Sequence, residues 1–413
     1  MADKKSSLRS FRHRNYRIFY PAVFISNVGT WAQRVAQDWL VVTDLHKGGA
    51  ELGIVTGLQF LPTLFVSLYG GILADRFNKR KLLMITNGGG ALTALALGYL
   101  IISGKVTIIE VYFLAFTLGM FSAIDSPIGQ SFTPEIVGKE DTRNAISLGS
   151  ANFNAARLVG PAVSGLLIKA FGTGPSFILN AASFAIITVT LGFMRDRELH
   201  TSEKSAEKPR IIEAIAYVKS RIDILVILIT VFITATFGLN FQIFNALMAT
   251  KVFHKDAGSF GGLGSCIAIG TLAAGIISAK RDQRRRPKFI IFASGLFGLT
   301  LIAISTMPSF LTYAAFLPLC GVIAVGTMIQ ANSYVSVTTP PELRGRVMGI
   351  YLMVFLGGSP IGSPLIGLVS DAIGVRQAIA ICGAVVAVGA GITYLITGKS
   401  LVSFHQNQKR NSN

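Results

Sequence analysis

Charged side chains are scarce in this chain. They make up 14% of its 413 residues, against roughly a quarter in soluble domains, which excludes an ordinary water-facing surface. Acidic residues are scarcer still, 20 against 38 Lys and Arg. Only three cysteines occur (Cys266, Cys320, Cys382), each inside an apolar stretch and none at a paired spacing. That pattern excludes a disulfide framework and a cysteine metal centre, and the three read as small buried hydrophobes. There is no nucleotide-binding loop, no metal-ligand cluster and no nucleophile triad. The reading is of a chain that is not an enzyme, with no cofactor and no metal. No processing site is read at the start either, where a basic arm from Lys4 to Arg17 leads straight into a long helix.

What is abundant is apolar sequence. Hydrophobic residues are 51% of the chain and fall in long blocks. A hydrocarbon core of roughly 30 Å needs about 20 such residues per crossing. Twelve segments suit: 18–42, 52–74, 82–103, 107–128, 144–169, 175–194, 222–247, 260–279, 289–306, 309–334, 346–370 and 376–397. Of the 38 basic residues, 30 lie in the terminal arms and in alternate loops, while six lie in the opposite loops. Arg34 and Arg157 sit inside helices. By the positive-inside rule both termini are cytoplasmic. The formal charge of +18 is thereby accounted for by topology, and a nucleic-acid partner is not expected.

The organisation follows. Residues 1–17 form a basic cytoplasmic arm, 18–194 a bundle of six helices, 195–221 a cytoplasmic linker, 222–397 a second six-helix bundle and 398–413 a tail. The linker contains a polar stretch, His200–Pro209, and then a short amphipathic helix over Ile211–Ser220, suited to the membrane face. The halves repeat each other. Gly160, Gly165, Leu166, Ala170 and Gly172 recur 202 residues later as Gly362, Gly367, Leu368, Ala372 and Gly374. Parallel six-helix repeats are the mark of two-bundle transporters. The fold class is an all-α membrane protein of twelve helices in two pseudo-symmetric bundles.

Between the second and third segments stands Gly71-Ile-Leu-Ala-Asp75-Arg76-Phe-Asn78-Lys79-Arg80-Lys81. It resembles the signature loop of the major facilitator superfamily, with Asn78 where a second glycine usually stands. The sequences around Leu8–Arg17, Gly29–Arg34, Leu58–Pro62, Asp125-x-Pro127, Ala156–Ala162, Asn240–Gln242 and Pro341–Met348 are similar to the transmembrane secretion effector group of that superfamily. Members of that group resemble the enterobactin exporter and macrolide efflux proteins. The resemblance implies a latch on the cytoplasmic side built from Gly71, Asp75, Arg76, Arg80 and Asp125. Asp125 is the expected partner of Arg76 or Arg80, and Asp75 faces the N-terminus of a neighbouring helix. The alternative is that these charges only fix topology. In the second half Ala279 replaces the aspartate, leaving the basic run Lys280–Arg286 free to grip anionic lipid. Gly129 stands where the group commonly carries an arginine, so no role is transferred there.

Arg157 lies 14 residues beyond Arg143, about 21 Å along a helix, which places it near the bilayer centre. A charge there costs at least about 2.5–3.5 kcal/mol, so it should face the protein interior. Two roles fit: a cation for an anionic or oxygen-rich substrate, beside Asn154, or an internal anchor between helices. Arg34 and Asp38 share one face of the first helix at a spacing of four. They suit a coupling element or an outer gate. Near Trp31 and Trp39, they equally suit the interfacial end of a helix. In the second half Asn240, Gln242, Gln330 and Asn332 could hydrogen-bond a substrate or one another.

The expectation is a secondary active transporter in a bacterial plasma membrane, functioning as a monomer. It would export a drug-like, siderophore-like or metabolite molecule by alternating access. Protons are the coupling ion that the resemblance implies, by antiport. An importer on the same scaffold and a non-transporting sensor or scaffold are the alternatives.

Overall fold

A computed structural model describes residues 8–200, 211–280 and 287–410; for 67–72, 74–75, 211, 279–280 and 397–410 it describes the backbone only. The long helices are α1 (Arg14–Trp39), α2 (Gly49–Arg76), α3 (Lys79–Ile102), α4 (Ile108–Phe171) and α5 (Gly174–Gly192). A short helix α6 (Ile211–Ser220) precedes α7 (Ile222–Ile233), α8 (Phe241–Leu247) and α9 (Ala257–Lys280). The chain continues through α10 (Pro287–Ser305), α11 (Phe310–Thr338), α12 (Pro341–Ile373) and α13 (Val375–Arg410). Among the described residues, ten helical stretches are long and apolar enough to cross a membrane. One of them, α4, has 64 residues and crosses twice. The 26-residue α1 is more polar, and with it the crossings number twelve.

Two boundaries differ from the sequence reading. Segments 107–128 and 144–169 are not separated by a loop but are two limbs of α4. The bend between them is one residue, Gly138, at φ 73°. Only glycine adopts that conformation cheaply, so a helix can turn there without unwinding. The polar residues of 129–143 are helical on either side of it. The segment expected as one helix over 222–247 is instead broken. A π-turn at Thr234–Gly238 ends α7, and Asn240 precedes α8. Such turns widen the helix by one residue and free backbone groups for other partners.

The chain divides into two compact units. The first comprises 1–47, 58–206 and 255–265; the second comprises 48–57, 207–254 and 266–413. In the first unit α1 packs on α4 and α5, and α3 on the same two helices. Its core includes Tyr16, Leu83, Ile128, Phe132, Ile136 and Leu191. The arm before α1 is pinned to α4 just past the bend. Asp141, 1% exposed, receives Arg9 at 3.0 Å, Arg12 at 2.8 Å and His13 at 2.9 Å. In the second unit α10 packs along α13, where Gly298 and Gly383 let the backbones meet. A Cβ on Gly298 would lie 2.6 Å from the Gly383 carbonyl oxygen. Its core gathers Ile224, Val231, Ile290, Met328, Val347 and Tyr351. Helix α6 joins this core through Ala214 and Val218, while Glu213 and Lys219 are exposed together with Ile212.

The two short exchanges between sequence halves have visible causes. Residues 48–57 belong to the second unit because Asp371, near the end of α12, caps the start of α2. Its carboxylate accepts from the Gly49 and Ala50 N–H groups at 2.8 Å each and from Lys251 at 3.2 Å. Residues 255–265 join the first unit because Gly261 packs on the Pro161 carbonyl and Lys169 pairs with Asp256 at 3.3 Å. Lys169 and Asp371 stand 202 residues apart, at matching places in the repeat.

Candidate functional site

The polar interior of the first unit is organised by α1. Gln33 accepts from Asn180 of α5 at 2.7 Å, and Asn27 donates to Asn152 of α4 at 3.1 Å. Neither contact was named from the sequence. Two glycines set the approach of the helices. A Cβ on Gly29 would fall 2.6 Å from Ser183 Oγ, and one on Gly160 would fall 2.5 Å from Trp31 Cβ. Gly160 therefore brings the second limb of α4 against α1 at the level of Trp31, one turn after Arg157.

This approach assembles a cluster that sequence spacing does not show. The Arg34 guanidinium lies 4.8 Å from the Trp31 ring centre, and the Arg157 guanidinium lies 5.3 Å from the same centre. Those two distances bound the separation of the charges at about 10 Å. Phe153 meets Trp31 edge-on at 5.8 Å, and Phe60 lies 5.3 Å below the Arg34 guanidinium. Asp38, 1% exposed, sits one helical turn beyond Arg34 and its charge acts on that residue. Arg34 Nε is buried with no hydrogen-bond partner, as is Gln37 Oε1. Two cations and one carboxylate leave the cluster with one positive charge in excess. Two like charges up to 10 Å apart repel by about 1.7 kcal/mol or more at an effective dielectric near 20. An anion placed between them relieves that repulsion and supplies acceptors to the guanidinium forks.

Trp31 has a part that sequence reasoning did not assign: its ring is the platform for both arginines. Trp39 stacks on Phe260 at 6.3 Å. The motif Arg157-x-x-Gly160 held the missed signal, because a glycine one turn from a buried cation marks a close helix approach. Asn154 is half-buried and turned back on its own helix, donating to the Ser150 carbonyl at 2.8 Å.

The latch residues are arranged differently from the expected pairing. Asp125 does not meet Arg76 or Arg80. It accepts from Thr86, and from Asn87 at 2.7 Å, both on α3. Arg80 turns to the end of α5, donating to the Leu191 and Gly192 carbonyls and pairing with Asp196. A cation at a helix C-terminus meets both the unpaired carbonyls and the negative dipole end. Arg76 is exposed, and Lys79 pairs with Glu135. Asn78 caps α3 by accepting from the Lys81 N–H at 3.1 Å, a role glycine could not fill. Gly71 and Asp75 lie in α2 with side chains outside the described residues. Most of the basic run, 281–286, also lies outside them.

Of the four amides singled out in the second half, Asn240 is committed to the fold. Asn240 donates to the Thr236 carbonyl at 2.8 Å and accepts from Ser363 at 3.0 Å, bracing the break between α7 and α8. Gln242 is half-buried, Asn332 is exposed, and Gln330 lines a cavity among α9, α10 and α11. Among the described residues, no group of three or more His, Cys, Asp or Glu is placed to hold a metal ion.

Comparison with known proteins agrees with this architecture. The profile of a family described as transmembrane secretion effector matches residues 5–411. The staphyloferrin A transporter of Staphylococcus aureus is 25% identical, over 89% of this chain and 92% of that protein. The multidrug efflux pump Tap of Mycolicibacterium fortuitum is 27% identical, over 86% and 89%. The enterobactin exporter EntS of Shigella boydii is 22% identical, over 86% and 85%. Among solved structures, a bacterial homolog of the human lysosomal transporter Spinster superposes with a TM-score of 0.73. It is 14% identical, with 93% of this chain and 96% of that one covered.

Proposed function

This chain belongs to the transmembrane secretion effector family of major facilitator transporters, and on that premise we propose that it exports a small anionic molecule from a bacterial cell. It is a multi-span membrane transporter and not an enzyme. The observation that carries the proposed cargo class is the pair of guanidiniums on Trp31 with, among the described residues, the one carboxylate of Asp38 beside them. Export is supported by the relatives named for export and efflux. The charge bias of the loops supports cytoplasmic termini. Transport proceeds by alternating access of the two bundles, as a monomer, in exchange for protons.

Antiport requires proton and cargo to exclude each other. Asp38 does this for a cargo that carries a hydroxyl or amine donor beside its acid groups. The donor uses the Asp38 carboxylate while the acid groups use Arg34 and Arg157, and a proton on Asp38 removes that acceptor. A second reading rests on the sharing of Arg34. A proton on Asp38 also releases Arg34 for an anion, and if that effect dominates, proton and anion bind together. Co-binding moves both inwards down the proton gradient and gives an importer.

The two readings have opposite signs. Inside-out vesicles with an acidic lumen are loaded externally with the labelled acidic metabolites of the producing cell. The exporter concentrates at least one of them in the lumen, and Arg157→Gln lowers the accumulation at least about tenfold. Accumulation confined to right-side-out vesicles in an acidic medium overturns export in favour of import.

A further inference from the structure

A proton exchanged at Asp38 needs a way in, because that carboxylate is 1% exposed. The same helix leads to a second carboxylate. The π-turn Leu40–Asp44 continues α1 and ends on Asp44, which is exposed at the end away from the basic loops. Six residues separate it from Asp38, about 9 Å along a helix.

Between the two runs a polar seam of α1 and α5. Two bonded pairs set its register. Gln33 accepts from Asn180 at 2.7 Å, and Asp44 accepts from Thr173, the residue before α5, at 2.6 Å. One turn from the first pair toward the second stand Gln37 on α1 and Ser176 on α5, so helical spacing puts them at one level. Ser176 is fully buried, and its hydroxyl lies 3.5 Å from that of Ser164 on α4.

Polar groups that only tie helices together satisfy one another, as Gln33 and Asn180 do. The middle of this seam breaks that rule. Gln37 is 2% exposed, and its Oε1 is buried with no hydrogen-bond partner. Thr43 Oγ1, beside Asp44, is a second such atom. A buried polar atom of this kind takes a water as its partner. Water between hydroxyls makes a chain along which protons pass.

Charge at the two ends suits that use. Burial at the end of α1 pushes the Asp44 carboxyl above its ordinary value, opposed by the Thr173 hydroxyl and by charge on His46. At the inner end Asp38 faces Arg34, with Arg157 of α4 beyond it.

We propose that this seam is the path by which a proton from the outer side reaches Asp38. Asp44 takes up the proton. The Thr173 and Ser176 hydroxyls and a water on Gln37 each accept one proton and release one. Asp38 ends protonated and Asp44 ionised, so one proton has moved and only O–H bonds have changed. The path rests on the reading of Asp38 as the proton acceptor of antiport.

The test needs no cargo. In Trp39→Phe the emission of Trp31 reports on Asp38 through Arg34, which lies on the ring. The protein is held in liposomes in one orientation, outer end to the medium, with the lumen strongly buffered. The medium is then acidified by stopped flow. Trp31 emission should change, and should not change once Asp38→Asn is added. Gln37→Leu keeps the volume and removes an unbonded polar atom, so the variant folds. It should slow the change at least about fivefold and leave its amplitude intact. Asp44→Asn, at the surface, should slow it likewise. A rate unaltered by either variant overturns the path and leaves Asp38 as the proton acceptor. A response that is absent, or that persists in Asp38→Asn, overturns the reading of Asp38 and the path with it.

Discussion

The two halves of this chain repeat one architecture and use it for different chemistry. In the first unit, ionised groups lie inside helices: Arg34, Asp38 and Arg157 gather around Trp31, and Asp125 is held by Thr86 and Asn87. In the second, Asn240 and Asn245 are bonded to Ser363 and Tyr313, and the buried carboxylate of Asp223 is matched by Arg221 at 2.8 Å. A buried amide with both ends satisfied stiffens its surroundings. A half-buried cation pair with one carboxylate invites a ligand. The lesson is that structural repetition fixes where helices pass and leaves each half free to differ in what it holds.

The largest expected effect is on the first unit's cations. Arg157→Gln or Arg34→Gln removes charge-assisted hydrogen bonds worth about 1.5–3 kcal/mol each, so transport should fall roughly 10- to 150-fold with the protein still folded. Arg157→Lys should recover part of it, because an ammonium keeps the charge and loses the planar fork. Transport assays alongside thermal unfolding separate the two effects. Asn240→Ala should do the reverse. It leaves Ser363 unpaired and the broken helix unbraced, at about 1–3 kcal/mol of stability, while transport per folded molecule changes little. An equal loss of transport in both variants would erase the proposed division of labour.

Next comes the approach of the helices. Gly160→Ala forces a Cβ to within 2.5 Å of Trp31, an overpacking that costs typically about 1–3 kcal/mol. Gly129→Ala, with nothing within 4 Å, should be neutral. The smallest effects belong to the repeat-matched pair at the other end. Asp371→Asn loses a carboxylate that two N–H groups and Lys251 share, which should lower the unfolding temperature by an amount equivalent to about 1 kcal/mol. Lys169→Gln breaks an exposed pair, 67% and 52% accessible, and should shift stability by less than about 0.5 kcal/mol.

Much of this was legible before any coordinates. Blocks of apolar residues and the alternation of basic loops suffice for twelve crossings. They fail where a polar stretch stays helical and one glycine makes the bend, as at Gly138, or where a helix unwinds inside an apolar run, as at Thr234–Gly238. Hydropathy records neither event, since both are settled by backbone conformation. The site was half legible. The depth of Arg157 marked it as buried, and spacing joined Arg34 to Asp38. Nothing in the spacing joins residues 34 and 157, which share the Trp31 ring because Gly160 admits it. The amides misled for a related reason. Asn240 and Gln242 read alike in sequence, and only the structure shows Asn240 bonded at both ends.

The scarcity of tryptophan offers the most direct test. Only Trp31 and Trp39 occur, so Trp39→Phe leaves Trp31 as the sole indole. Its emission is then followed as citrate, a tricarboxylate probe, is titrated into the purified protein, with choline as a cationic control. Binding between the two guanidiniums should change Trp31 emission saturably with citrate and not with choline. Adding Arg157→Gln should abolish the change. A response absent with citrate, or unaltered by Arg157→Gln, would contradict an anion site on Trp31.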